Sequence, residues 1–184
     1  IDSLNTIKTL VYDRREMTLK ALMALCRSDF EGHEAERRFI AQRIPKYGAG
    51  NDDVDAFGAR VLKDVAALYR DERGMLYKNG RGGDYLPAFY AHDIFRPLGR
   101  KTIATPDGRR AFTPLSRGCS PSEFIESTPT DILRAVKAID FTDYADSFCA
   151  EITLPQLPAD RAQPLIAALI ASFIAAGGSS LQFN

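Results

Sequence analysis

The chain is short of the residues from which several kinds of function are built. Its 184 residues hold only three cysteines, Cys26, Cys119 and Cys149, and two histidines, His33 and His92. The cysteines match no metal-ligand spacing and make no Cys-x-x-Cys pair, so no metal site is expected, and an odd number argues against a disulfide-stapled secreted fold. Together with a start that carries no signal-peptide pattern, they predict a cytoplasmic protein. Net charge is missing too, since 24 Lys and Arg residues are balanced by 24 Asp and Glu. No overall field draws the chain to nucleic acid or to an acidic membrane surface. The longest apolar run, residues 164–176, falls short of the roughly twenty residues a membrane span needs and predicts a buried helix instead. What is left is an ordinary globular composition, 45% hydrophobic and 26% charged. Its length suits one domain with a core of its own.

Periodicity predicts mostly helix. Leu4, Ile7, Leu10 and Val11 form one apolar face over residues 1–13. Thr18 is a suitable N-cap for a second helix that turns Leu19, Leu22, Met23, Leu25 and Cys26 inward. A third helix is predicted over residues 34–43 and ends at Pro45, which lacks an amide donor. Asn51 or Asp52 then caps a long amphipathic helix with Val54, Phe57, Val61, Leu62, Val65, Leu68 and Tyr69 on its buried side. Aromatic clustering makes residues 85–95 the best strand candidate. Pro106-Asp107-Gly108 reads as a tight turn, with Gly108 free to take a positive φ. Thr128-Pro129-Thr130-Asp131 is a strong helix start, a hydroxyl cap followed by Pro at the first position and a carboxylate at the positive dipole end. A short strand over 148–154, a long helix over 160–176 stopped by Gly177-Gly178, and a strand opening at Leu181 complete an α/β pattern.

The residues able to carry chemistry are few. His92 titrates near neutrality, and alternation on the predicted strand puts it on the same face as Tyr90. The two are candidates for contacting a substrate, and the structural alternative pairs His92 with Asp93. His33, at a helix start, reads as a solvated surface residue. Arg109 and Arg110 beside Asp107 could fork onto a carboxylate or phosphate, or Asp107 and Arg109 could pin their own loop. Cys119, in a Gly-Cys-Ser-Pro loop that looks exposed, is a possible nucleophile, whereas Cys26 and Cys149 fall on apolar patterns and read as core. Gly80-Arg81-Gly82-Gly83 has neither the Walker ending nor GxGxxG spacing and reads as a flexible turn.

Three stretches together resemble the glycyl radical enzymes, the pyruvate formate-lyase superfamily. They are Pro45-Lys46-Tyr47-Gly48 with Asn51-Asp52-Asp53-Val54-Asp55, then Thr105-Pro106-Asp107-Gly108-Arg109-Arg110, and finally Gln182-Phe183-Asn184, in family order. The resemblance implies a helix-rich portion of a ten-stranded α/β barrel, with residues 1–184 forming a partial barrel domain. It places Tyr90 and His92 on the pocket wall as substrate-binding residues. Thr105, Pro106, Asp107, Gly108 and Arg109 are given a loop-structuring role, because family members with unrelated substrates share that loop. It also implies that two reactive parts lie elsewhere, because the chain has neither the Gly-Cys-x-Glu of the catalytic cysteine loop nor the Arg-Val-x-Gly-Tyr of the glycyl radical. The residue two after Cys119 is Pro121 and not the glutamate partner, so no catalytic residue is expected in this chain, and alone it should be inert.

By the same resemblance the whole enzyme carries a glycyl radical installed by an activating enzyme that uses S-adenosylmethionine and an iron–sulfur cluster. Neither cofactor sits in this chain. The partners implied are the rest of the enzyme, that activating enzyme, a small-molecule substrate and a second copy in a homodimer. Where many relatives read Gly-x-Asp-x-x-Gly-Pro-Thr-Ala, this chain has residues 123–131 with two glycines replaced. That departure favours a dehydratase, lyase or decarboxylase working by radical hydrogen abstraction. The alternatives are a formate C-acetyltransferase and a non-catalytic structural module.

Overall fold

The computed structural model describes residues 1–89, 94–144 and 147–183. The chain folds as two compact units, one made of Ile1–Tyr47 and Asp93–Ser116, the other of Gly48–His92 and Arg117–Asn184.

The first unit is all helix and loop among its described residues. Helix α1 (Asp2–Ile7) runs into a π-helical turn, Lys8–Asp13, closed by Arg14 N–H donating to the Thr9 carbonyl at 2.9 Å. The wider winding shifts the faces, so Leu10 is wholly buried while Leu4, expected on the same apolar face, is 47% exposed. Helix α2 (Leu19–Arg27) starts on Thr18, whose Oγ1 accepts from Ala21 N–H at 3.1 Å. After it, Asp29 and Phe30 take positive φ values of 52° and 58°. That backbone is costly for non-glycine residues, and the complete burial of the Phe30 ring offsets it. Helix α3 (Glu34–Arg43) follows. Leu10, Leu22, Phe30, Ile40 and Ile44 close the core with Cys26 and Ala104.

Phe95 corrects the sequence reading, because it opens a short helix, α5 (Phe95–Gly99), and does not end a strand. Pro97 falls in the first turn of that helix, where its missing donor costs nothing and where a strand ladder could not use it.

The second unit is α/β. Helix α4 (Asp52–Ala67) is capped by Asn51, whose side chain accepts from Val54 N–H at 3.1 Å. Its buried stripe is Val54, Gly58, Leu62 and Ala66, four residues apart. Helix α6 (Pro129–Lys137) packs against α4, and of the expected apolar face Phe57, Val61 and Tyr69 are partly buried while Val65 and Leu68 are 41% and 76% exposed. The start of α6 is a full capping box between Thr128 and Asp131 with Pro129 at its first position.

Three strands, β1 (Ala88–Phe89), β2 (Ser147–Ile152) and β3 (Ser180–Phe183), form a parallel sheet in the order β1-β2-β3. Helix α7 (Ala159–Ala175) crosses between β2 and β3 and ends at Gly177, φ +89°. It is not buried all round as its apolar composition suggested. Leu169 and Phe173 are covered, Phe173 edge-on against Phe141, while Ile170 and Ile174 are 40% and 64% exposed. Among the described residues no helix is long and apolar enough to cross a membrane.

Candidate functional site

The motif residues of the first unit are held by buried polar side chains. Lys46 is 6% exposed, and its ammonium donates to the carbonyls of Ile40 at 2.7 Å and Ile44 at 2.9 Å, the carbonyl-rich end of α3. Burial pushes its pKa down, opposed by the charges of Asp2 and Asp107. Asp2 accepts from Tyr47 N–H at 2.8 Å, and burial raises its carboxyl above the usual range. Asn5 donates to the Pro45 carbonyl at 2.9 Å.

The turn at residues 105–108 closes through Gly108 N–H donating to the Thr105 carbonyl at 3.0 Å, with Gly108 at φ +88°. A Cβ on Gly108 would stand 3.1 Å from the Arg37 carbonyl oxygen. Asp107 accepts from Ser3 Oγ at 2.8 Å. The Arg109 guanidinium donates to Thr105 Oγ1 at 3.1 Å, to the Arg110 carbonyl at 3.0 Å and to the Thr113 carbonyl at 2.8 Å, besides a contact to the Ile103 carbonyl. Arg110 donates to the Asp29 carbonyl at 2.8 Å and pairs with Glu34. These cations face the protein's own backbone and carboxylates. His33 is half-exposed, with Nδ1 3.2 Å from Glu36.

In the second unit, residues 48–55 form the hub. Gly48, φ +70°, lies against the Pro121 ring with no room for a Cβ, and its N–H donates to Asp55 Oδ1 at 2.8 Å. Gly50, φ +76°, faces the Asp131 carboxylate, and Asp52 pairs with Arg134. Asp55 is 4% exposed, and burial raises its carboxyl, with Gly48 and Arg134 pulling it back.

The Gly-Cys-Ser-Pro loop is laid along β2. Cys119 N–H donates to the Cys149 carbonyl at 3.3 Å, the Cys119 thiol reaches the same oxygen at 3.0 Å, and Glu151 N–H donates to Ser120 Oγ at 2.6 Å. Cys119 is therefore buried and not exposed as its loop suggested, and burial drives its thiol pKa strongly upward. That is the opposite of what a nucleophilic cysteine needs. Cys26 and Cys149 are buried as well, the Cys26 thiol pushed up to about 11. The 80–83 turn is braced by Asn79, whose Oδ1 accepts from Arg81 N–H at 2.8 Å and Gly83 N–H at 3.1 Å.

Tyr90 and His92 lie outside the described residues. The sequence did not reveal Arg117 and Glu151, which pair at 2.6 Å with side chains 28% and 10% exposed. Their 34-residue separation is bridged where the 117–120 loop lies along β2. A cleft of about 270 Å³ beside α4 carries Arg60 and Lys63 on one wall and Asp140 and Asp143 on the other.

A family model described as pyruvate formate lyase-like matches residues 1–95. The probable dehydratase YbiW of Escherichia coli K12 is 33% identical over 139 residues, 73% of this chain and 17% of that protein. The isethionate sulfite-lyase of Bilophila wadsworthia is 34% identical over 137 residues, 72% of this chain and 15% of that protein. Among solved structures, the glycerol-bound form of the B12-independent glycerol dehydratase from Clostridium butyricum overlays the whole chain with a TM-score of 0.85 at 28% identity, and the chain covers 23% of it. The chain thus spans about a sixth of the length of these two curated relatives.

Proposed function

The chain belongs to the pyruvate formate lyase-like family of glycyl radical enzymes, and from that membership we propose that it serves as barrel wall in a dehydratase, lyase or decarboxylase of the family. Such an enzyme acts on a small organic molecule by radical hydrogen abstraction. The observation that carries the reading is the overlay of the entire chain, all 184 residues, on one part of a glycyl radical dehydratase. The relatives named above are a dehydratase and a sulfite-lyase, which favours that chemistry over acyl transfer to coenzyme A.

On this reading the chain's own residues build and orient, and the reactive groups come from elsewhere in the protein. The sequence contains neither Gly-Cys-x-Glu nor Arg-Val-x-Gly-Tyr, so its residues do not fit the radical or its cysteine partner. Cys119, sealed against β2, is no substitute. Thr105, Pro106, Asp107, Gly108 and Arg109 shape the loop that follows α5, and Tyr90 and His92 contact the substrate. The radical is supplied by an activating enzyme using S-adenosylmethionine and an iron–sulfur cluster.

Anaerobic expression of the full reading frame with a cognate activating enzyme tests the proposal. A glycyl-type doublet in the electron paramagnetic resonance spectrum is expected from the full protein and none from residues 1–184 alone. A full-length protein that stays silent with competent activating enzymes, or a doublet from the isolated chain, would sink it.

A further inference from the structure

The sheet of the second unit has two unlike faces. On β2, Ala150 and Ile152 are wholly buried, and the register sets Leu181 and Phe183 of β3 beside them. That is the apolar face, and it is the one on which α6 and α7 can pack. Period-two alternation puts Cys149 and Glu151 on the other face, and the same register pairs them with Ser180 and Gln182. Ser180 and Gln182 are exposed, while Leu181 and Phe183 are half-buried. Strands of a parallel sheet are ordinarily apolar on both faces, so a polar stripe along one of them needs a reason.

Its position supplies the reason. Glu151 is the penultimate residue of β2, and the parallel register sets Gln182 level with it, so both stand at the carboxyl end of β2. In barrels and open sheets alike, ligands gather at that end, contacted by residues from several strands. The Glu151 carboxylate is held there by Arg117 at 2.6 Å, and its backbone N–H by Ser120 at 2.6 Å. An ion pair this well covered stabilises little in net terms, and fixing neighbouring groups is a use that would retain it.

Resting on the function proposed above, we infer that Gln182 is a ligand-contacting residue on the inner face of the barrel and that Glu151, clamped by Arg117, is a positioning residue beside it. The ligand class follows from the chemistry of the stripe. A primary amide both donates and accepts, and the neighbouring guanidinium is already balanced by a carboxylate, so the stripe suits neutral ligand hydroxyls, which glycerol and isethionate both carry.

The test is titration calorimetry of the full-length protein with glycerol and, separately, with isethionate. Gln182→Ala is expected to weaken whichever ligand the wild type binds by about fivefold to tenfold, the loss of one hydrogen bond, in a protein that still melts cooperatively. Glu151→Gln, which removes the charge that Arg117 pairs with, is expected to weaken the same ligand by a smaller factor in a protein that still melts cooperatively. Where Gln182→Ala fails to fold, the near-isosteric Gln182→Glu takes its place and should lower affinity for isethionate more than for glycerol. Unaltered affinity in a folded Gln182 variant overturns the inference, and so does a wild type that binds neither ligand. Radical formation, read independently by paramagnetic resonance, decides the functional reading, so the two can fail separately.

Discussion

Both units bury polar groups of the family signatures, and only the second leaves any of them exposed. In the first, the motif side chains turn inward on their own chain: Lys46 on two carbonyls of the α3 end, Arg109 on the loop that carries it, Asp2 and Asp107 on Tyr47 and Ser3. In the second, Asp55 is buried and accepts from Gly48 N–H, whereas the sheet keeps two exposed polar residues, Ser180 and Gln182. Family signatures therefore mark two different things. Those of the first unit, and residues 48–55 of the second, secure a scaffold, whereas Gln182 lies exposed on the sheet.

The comparison can be broken hardest at the first unit's core. Phe30→Ala removes a wholly buried ring and should cost about 4 kcal/mol. Peptide-resolved hydrogen exchange in the full-length protein should show protection lost around α2 and α3 while β2 and β3 keep theirs. Equal loss in both units would show that they are not separate cooperative bodies.

Arg109→Ala comes next, at about 3 kcal/mol, because several buried carbonyls would lose their donor at once. A shift below 1 kcal/mol in denaturant midpoint analysis would mean that water replaces the guanidinium, and the scaffold reading of this loop would fail.

For the second unit, Gly48→Ala forces a side chain into a positive φ and into the Pro121 ring, and should cost about 2 kcal/mol, felt as faster exchange in the 117–121 loop. Exchange unchanged at that loop would show that Gly48 does not hold it.

A smaller effect concerns pH. Burial raises the Asp2 carboxyl above its ordinary value of 3.8, so the native state holds that proton more tightly than the unfolded chain. Its contribution to stability is complete below 3.8 and is lost as pH rises through the raised value. Glu34, lowered mainly by its hydrogen bond with Arg110, acts in the reverse sense, its contribution being lost as pH falls through its depressed value. Asp2→Asn should abolish the first component and keep the acceptor for Tyr47 N–H. An unchanged pH profile in first-unit exchange would refute the assignment. Smallest of all is Cys119→Ser in the full enzyme, expected to keep most turnover per radical, since the buried thiol has no glutamate partner. Complete loss of activity in a folded, activated variant would show that the cysteine was misjudged.

The parts legible in the sequence were those fixed by local chemistry. The caps at Thr18, Asn51 and Thr128 and the turn at Gly108 use bonds spanning only three or four residues, so residue type and spacing were enough. What could not be read was what the chain's distant parts bring to each helix or loop. Val65 and Leu68 lie on the same helix as Leu62, yet of the three only Leu62 is buried, where Tyr144 from 82 residues away donates to its carbonyl. Cys119 sits in a polar loop that only β2 can bury. The family signatures gave the barrel identity, yet they did not point to Arg117 and Glu151, whose pairing depends on how β2 is laid against that loop.

Parallel pairing also sets a timetable for the chain as it is made. Ala88 of β1 must wait for Ser147 of β2, about sixty residues later, which is several seconds of synthesis at about 5–20 residues per second. The first unit ends at Ser116 and is complete in the chain before that partner emerges. A nascent chain of this sequence therefore carries an assembled helical unit and a strand still waiting for β2 at the same time. During that interval the ribosome-bound protein is most exposed to wrong partners, and a chaperone that shields the segment after α4 would matter more than one that shields the amino-terminal helices.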